Sequence, residues 1–594
     1  MRCPRLFLLV LLVADCARAP AVAAEPSSVP TAGPPVLAGP APAAVLPAPL
    51  PAPDDLPADL LDAGDVPPPP GDLEEFLYAH RINFAAGGVP LVTVRLMEGQ
   101  DQIEIEGDAQ LDLVLHGEQA KLVGVPPHQA LHIRLRESTP ARLRDYAQVA
   151  DLKLADREGL QATRALWEAR GFEVQVRTIG TIYGVAGRVL DNRRALVLLG
   201  QGGTVEGAQA LLTQVRRDYG EAGQLFEDLV ARPTGVLDVQ DQSGATVASS
   251  SGLVVIDSAS EILVRRVEYG VGYAFHGFQD RRYRGRLFAA VDKLGKLALI
   301  EALPLEELLR GLVPSEMFAS APPEALKAQA VTARGEVLAK IGARHLTDPY
   351  VLCSEQHCQV YGGLGSERGS TDVAVKATRG EALFGADGRL VDSVYSAVCG
   401  GHTEDNDVVW GGPVDPVLRG VSDLAEGTVG NLRGEAELRR WINRVPASFC
   451  RLSGAAPPAK VRWIKRFSAE ELDALLEPLG VGAVKALEPR ARGSSGRAAI
   501  LHVVGASGEA EVRGELRIRK LFKNLNSSAF VVDPEGELAT ASGTRPKAFV
   551  FRGAGWGHGV GMCQTGAIGR SKAGQGYKQI LRHYFNGAVP ARLY

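Results

Sequence analysis

Three groups of residues in this chain have types and spacings that point to chemistry. The first is a single carboxylate, Glu316, in the segment Val313-Pro314-Ser315-Glu316-Met317. Two patterned helices flank it, so a short link between core-facing helices would hold it firmly without having to bury it. That suits a general acid, and it equally suits a solvated or capping Glu. The second group is His345, Cys353, His357 and Cys358. Two thiolates and one or two imidazoles match the donor set of tetrahedral zinc, with His345 the most distant member. The rival reading is disulfide pairing, Cys353 with Cys358 or Cys399 with Cys563. The third group is glycine-rich, Gly553 to Gly566, with six glycines in fourteen positions. Such a run excludes helix and lets backbone approach a ligand closely. Within it Trp556 offers a flat apolar face of the kind sugar rings stack on, and His558 and Gln564 offer hydrogen bonds. A Trp buried in a tight turn is the competing reading. Gly400-Gly401-His402-Thr403-Glu404 is likewise either a cleft lining or a structural turn, while Asp405 and Asp407 read as solvated.

The elements that must position these residues follow from periodicity. Leu305, Leu308, Leu309 and Leu312 recur at helical spacing, with Gly311 as a candidate stop. A second helix opens at Pro322 and Pro323, where missing N–H groups cost little. It carries Leu326, Ala330, Ala333, Val337 and Ile341 on one stripe and ends at Gly342. Upstream, Val92, Val94 and Leu96, then Ile103 and Ile105, then Leu111, Leu113 and Leu115 alternate as half-buried strands do. Between about 145 and 225 the texture becomes strand (147–152), helix (158–170), strand (172–178), strand (183–190), strand (194–199) and helix (208–219). Strand patterning resumes from Val236 to about Leu299. The whole reads as α+β: a strand-rich part at 73–144, an inserted small αβ module at 145–225, and a mixed α/β catalytic region at 226–594.

The N-terminus reads as an export signal at residues 1–24. Arg2 and Arg5 precede an apolar run from Leu6 to Ala14 and an Ala-Val-Ala-Ala site. That run is shorter than the roughly 20 residues a bilayer span needs, so no transmembrane segment is expected in the mature chain. Residues 25–72 are Pro- and Ala-rich and read as a disordered tether. An exported, periplasmic or cell-wall-associated protein follows. Removing the signal leaves five cysteines, an odd number, so at least one thiol is free, metal-bound or paired outside the chain. The net charge of −4 argues against nucleic acid held by bulk electrostatics. A neutral polymer such as a glycan remains open.

Several of these segments, taken in order, carry a resemblance. Leu309 to Met317 and Ala325 to Arg334 are followed by His357-Cys358-Gln359-Val360-Tyr361 and Gly400 to Glu404. Then come Val409-Trp410-Gly411-Gly412, Val421-Ser422-Asp423, Gly514 to Leu521, Asn526 to Phe530 and Gly555 to Ala567. Together they resemble the stage II sporulation protein D family, also called the amidase-enhancer family, over roughly 260–594. The resemblance implies a lytic transglycosylase that cuts peptidoglycan glycan strands between MurNAc and GlcNAc and leaves 1,6-anhydro-MurNAc ends. The sugar's own 6-hydroxyl attacks, so one carboxyl group serves as acid and then base, where ordinary glycosidases need two. That role maps onto Glu316, with Val313 and Met317 placed to desolvate it. It also implies a cleft lined by Arg334, Gly401, His402, Thr403, Glu404, Trp410, Trp556, His558 and Gln564, and a structural zinc on Cys353, His357, Cys358 and His345. The alternative is a non-catalytic enhancer that binds peptidoglycan and stimulates an N-acetylmuramoyl-L-alanine amidase. The 145–225 module resembles the small sporulation-related (SPOR) repeat that binds glycan strands.

Overall fold

The computed structural model describes residues 73–116, 121–185, 188–271, 275–540 and 543–594. The expected signal and tether lie outside the described residues. The architecture is α+β, as the patterning predicts. Two antiparallel sheets begin it. One is ordered 83–84, 90–100, 297–304, 286–291, 253–258, 111–115 and 121–125, with Leu352–Cys353 added in parallel beside 90–100. The other is ordered 246–251, 234–240, 131–139, 102–107, 262–269 and 277–283. Ile103, Ile105, Leu111, Leu113, Val254, Ile256, Ile262 and Val264 from both sheets meet in one core. Strands from before and after the inserted module therefore pair with one another. Residues 73–141 and 232–304 build a single two-sheet body.

The module is a four-stranded antiparallel sheet ordered 224–231, 142–153, 194–203 and 174–179, with helices Arg157–Ala169 and Val205–Tyr219. It is wider at both ends than the patterning suggests, because Arg142 pairs with Ala231. The expected strand at 183–190 is instead a hairpin of Ile182–Val185 with Arg188–Asp191. Trp167, Val197, Leu199 and Val215 form its own core.

The strand Leu297–Pro304 is buried nearly throughout and runs straight into the helix Leu305–Glu316. Glu316 is that helix's last residue rather than part of a link, and Gly311 does not stop it. Gly311 is buried against the Tyr361 ring, and an added Cβ would lie 2.6 Å from a ring carbon and 3.0 Å from the Gly363 carbonyl oxygen. Close packing, not a turn, requires glycine there. The following helix, Pro323–Lys340, begins where the prolines predict but is buried all round rather than along one stripe. Ala330, Ala333 and Val337 join the sheet core, while Leu326, Ala328 and Val331 join a second core with Val398, Val560, Met562 and Ala567. A helix buried on every face needs small residues, which explains its alanines.

Strands 462–468, 543–554 and 530–540 and strands 484–492, 498–505 and 509–513 surround a third, aromatic core that includes Phe467, Phe522, Phe549 and Phe551. Two short pairings close the region around Glu316: Val589–Arg592 on Glu381–Phe384, and Met562–Cys563 parallel to Tyr395–Ser396. Among the described residues no helix is long and apolar enough to cross a membrane.

Gly311→Ala should lower the melting temperature by an amount equivalent to about 1–3 kcal/mol, the usual cost of overpacking. Thermal denaturation followed by circular dichroism checks this. An unchanged melting temperature would mean that the Tyr361 contact yields freely.

Candidate active site

Glu316 is recessed yet retains partial access to solvent. Its neighbours Val313 and Met317 are buried, as the desolvation argument requires. Its Oε1 accepts a 2.6 Å hydrogen bond from the Val360 backbone N–H. Burial lifts the carboxyl from 4.5 to about 7, against the opposing pull of the Val360 N–H and the Gln564 amide. The C-terminal end of a helix disfavours an anion as well. The acid is thus poised near neutrality.

Four polar side chains surround this arrangement. Gln564 Nε2 donates to the Glu316 carbonyl at 2.8 Å and reaches Gln329 Oε1 at 3.4 Å. The Tyr395 hydroxyl donates to Gln359 Oε1 at 2.7 Å, and Gln359 Nε2 donates to the Ala333 carbonyl at 3.3 Å. Gln359 and Val360 belong to the His357–Tyr361 motif. The motif marked the right segment, but nothing in the sequence shows that its contribution to the acid is a backbone N–H. Gln329 lies in the Ala325–Arg334 motif with no role read for it, and Tyr395 carried no signal. Neither did Glu336, a buried second carboxyl that desolvation lifts to about 8 against the attraction of Lys340.

The glycine-rich segment joins the site through His558. Its Nε2 lies 2.9 Å from the Tyr395 carbonyl and its Nδ1 accepts from the Val560 N–H at 3.1 Å, which assigns a neutral, Nε2-protonated ring. Burial lowers its pKa to about 3. Gly555, Gly557, Gly559 and Gly561 all sit at positive φ, between 70° and 93°, so glycine is needed at every second position. Two tryptophans stay open on this surface. Trp410 is 54% exposed with its ring 5.2 Å from that of His558, and Trp556 is 39% exposed with the Lys460 ammonium 4.4 Å over it. Contacts therefore run from Trp410 through His558 and Tyr395 to the segment that holds Glu316.

Other expected cleft residues lie elsewhere. Arg334 is fully buried, its guanidinium bridging both Glu306 oxygens at 2.8 and 2.9 Å and the Glu381 carbonyl at 3.0 Å. With those donors engaged it has no reach toward a glycan. Glu404 is fully buried and accepts from Ser494 Oγ, Ser495 N and Oγ, and Arg497 N at 2.6–3.2 Å, so it pins a turn. Thr403 exchanges hydrogen bonds with Val421, and His402 is buried with Nδ1 2.7 Å from the Thr403 carbonyl. Gly401 is buried at φ 101°, where a Cβ would meet the Trp441 ring. The structural-turn reading of 400–404 is the one the geometry supports. Asp405, expected to be solvated, is buried and paired with Arg419 and Arg433, while Asp407 pairs with Arg419.

The donor atoms of His345, Cys353, His357 and Cys358 lie within 4.8 Å of one another. His345 Nε2 is 3.2 Å from Cys358 Sγ, and Asp348 takes its Nδ1 at 3.0 Å, the outer contact that orients a ligating histidine. His357 Nδ1 lies 3.7 and 3.8 Å from the two sulfurs. This group is placed to hold a metal ion, and Cys358 precedes the Val360 N–H by two residues. Both thiols are free, as are Cys399, Cys450 and Cys563, so neither expected disulfide is formed.

With this geometry described, comparison with known proteins places the chain. Residues 293–384, which carry Glu316 and the Cys/His cluster, match the model of the stage II sporulation protein family, and residues 404–561 match a domain of unknown function. Relatives include an uncharacterized protein of Brachyspira hyodysenteriae, 28% identical over 292 residues that cover 49% of this chain and 67% of that one. The amidase enhancer of Bacillus subtilis is 27% identical over 303 residues, 47% of this chain and 40% of that one. Stage II sporulation protein D of Bacillus subtilis is 26% identical over 308 residues, 48% of this chain and 74% of that one. The site and fold thus define a stage II sporulation protein domain. Over about half its length the chain is similar to stage II sporulation protein D and to an amidase enhancer.

The raised pKa has a consequence for stability. Between about 4.5 and 7 the folded state binds more protons at Glu316 than the unfolded chain, so this group costs stability as pH rises through that window. The full cost, roughly 3 kcal/mol, is present above it. Glu316→Gln should therefore melt like wild type near pH 4.5 and progressively higher than wild type up to pH 7. A difference independent of pH would show that the carboxyl has its ordinary value.

Proposed function

We propose that this chain is an exported lytic transglycosylase that cleaves peptidoglycan glycan strands between MurNAc and GlcNAc. The observation that carries the reading is the recessed, partly buried Glu316 at the end of a helix, its carboxyl raised to about 7. In its protonated form Glu316 donates to the glycosidic oxygen as that bond breaks. The carboxylate so formed takes the proton of the MurNAc 6-hydroxyl as that oxygen bonds to C1. The proton returns to Glu316, no water is consumed, and the new end is 1,6-anhydro-MurNAc. Glu336, the second raised carboxyl near it, is buried and so is not open to activate water in the manner of ordinary glycosidases.

Trp410 and Trp556 supply exposed faces for sugar rings, and Gln564 fixes the carbonyl of the catalytic residue. The fit of His345, Cys353, His357 and Cys358 supports a structural zinc whose chemistry is only to hold the segment that presents the Val360 N–H, because a closed four-donor site leaves no position for substrate. The second reading, a peptidoglycan-binding enhancer of a cell-wall amidase, is favoured by the relative named amidase enhancer. The 142–231 module, four strands and two helices in the order strand, helix, strand, strand, helix, strand with a hairpin between, resembles the SPOR repeat. A second glycan site on the same chain would raise the effective concentration of the polymer at the cleft.

Glu316→Gln keeps the Val360 hydrogen bond but cannot shuttle a proton. Release of anhydro-muramic ends from strands lacking stem peptides, read by mass spectrometry, should fall about 10²–10⁴-fold while pull-down by peptidoglycan persists. A wild-type protein that releases none, yet stimulates an amidase, would replace the first reading with the second. Excising 142–231 should weaken pull-down and raise the apparent KM more than it lowers kcat. Unchanged pull-down by a folded deletion variant would make the module scaffold.

A further inference from the structure

A second cluster of metal-ligating side chains lies apart from the one described above. Cys399, Asp423, Cys450 and Cys563 place one donor atom each within 4.8 Å of all the others. All four are buried, three of them completely. They come from distant parts of the chain: the segment before Gly400, the Val421–Asp423 loop, the short helix Phe449–Leu452, and the strand Met562–Cys563 at the start of helix Gln564–Lys572. Cys399 and Cys563 attracted notice in the sequence and Asp423 lies in a motif segment, whereas Cys450 carries no motif.

We propose that these three cysteines and Asp423 form a second, structural site for a thiophilic divalent cation, zinc being the best match. Donors on a tetrahedral zinc, with Zn–S near 2.3 Å, stand about 3.8 Å apart or slightly less where one is oxygen. Cys399 Sγ and Asp423 Oδ2 are 3.4 Å apart. Backbone N–H groups point at the sulfurs as they do around metal-bound thiolates: Cys399 N to Cys563 Sγ at 3.1 Å, Gly566 N to the same sulfur at 3.3 Å, and Gly401 N to Cys399 Sγ at 3.3 Å. Asp423 is oriented for the role. Its Oδ1 is held by Arg570 at 3.0 and 3.1 Å and by the Tyr584 hydroxyl at 2.9 Å, which leaves Oδ2 to the cluster.

Charge supplies an independent argument. The Arg462 guanidinium beside the cluster makes four hydrogen bonds, all to backbone carbonyls of Gly400, Trp441, Ile442 and Val461. A partly buried cation served only by neutral groups calls for anions nearby, and the sulfurs of Cys450 and Cys399 are close enough to act on it. Three thiolates and a carboxylate carry four negative charges, and a divalent ion leaves two. Arg462 and Arg570 match those two. A disulfide between any two of the cysteines would leave the third thiol, and Arg462, without a counterpart.

The test uses the full chain with Cys353 and Cys358 both changed to Ser, which removes sulfur from the first group. Zinc retained after purification without added metal should be one per chain, and adding Cys450→Ser should abolish it. On wild-type protein, zinc-edge X-ray absorption keeps the test open if the triple variant fails to fold. A mean of more than two sulfurs per zinc is expected, because a two-sulfur site alone cannot give it. A mean of two or fewer, a double variant without zinc, or a Cys399–Cys563 disulfide found by peptide mapping would overturn the proposal.

Discussion

The arrangement depends on keeping one carboxyl group short of water without cutting it off from solvent. Desolvation alone would make Glu316 a buried acid with no access, and full exposure would return it to the ordinary carboxylate range. The Val360 N–H sets the balance by giving the carboxyl one fixed partner at 2.6 Å. It holds the side chain in place while offsetting only part of the burial. For that bond to persist, the end of a helix and a loop more than forty residues away must stay in register. Much of the surrounding fold contributes to that. The strand Leu297–Pro304 anchors the start of the helix in the sheet, Gly311 lets Tyr361 pack against its middle, and Gln564 holds the carbonyl at its end.

The polar networks around the site are of two physical kinds. Arg334 with Glu306 and Tyr594, and Glu404 with Ser495 and the Arg497 N–H, are desolvated and fully engaged. Breaking such a pair leaves a buried charge, so these groups specify where loops and helices lie rather than acting on a ligand. The exposed groups, Trp410 and Trp556, are few and are held through their neighbours, Trp410 by the neutral ring of His558. The His345, Cys353, His357 and Cys358 cluster, which could hold a metal ion, belongs with the first kind, because it is buried or half-buried for the most part and lies on the stretch leading to Val360.

The two helices near Glu316 were legible in the sequence because leucine periodicity and paired prolines are local signals, although Glu316 itself was placed in a link between them. So was the alternation that builds the sheets. The failures have physical causes. Arg334 and Glu404 lie in motif segments, and sequence cannot tell a charge that meets a ligand from one neutralised inside the fold. Gly311 resembled a helix stop because the aromatic ring that requires it arrives from fifty residues downstream. Tyr395, Gln329 and Cys450 become meaningful only when the short pairing of Tyr395–Ser396 with Met562–Cys563, and the packing around it, bring distant segments together.

The central claim is that Glu316 is half-protonated near neutrality in the folded protein. Infrared difference spectra of wild type against Glu316→Gln, with glutamate carboxyls isotopically labelled, isolate the protonated carboxyl band of this one residue. The account predicts that the band persists through mildly acidic solution and vanishes with a midpoint near pH 7. A midpoint near 4.5 would contradict it, because the carboxyl would then be an ordinary anion at neutral pH with no proton to give.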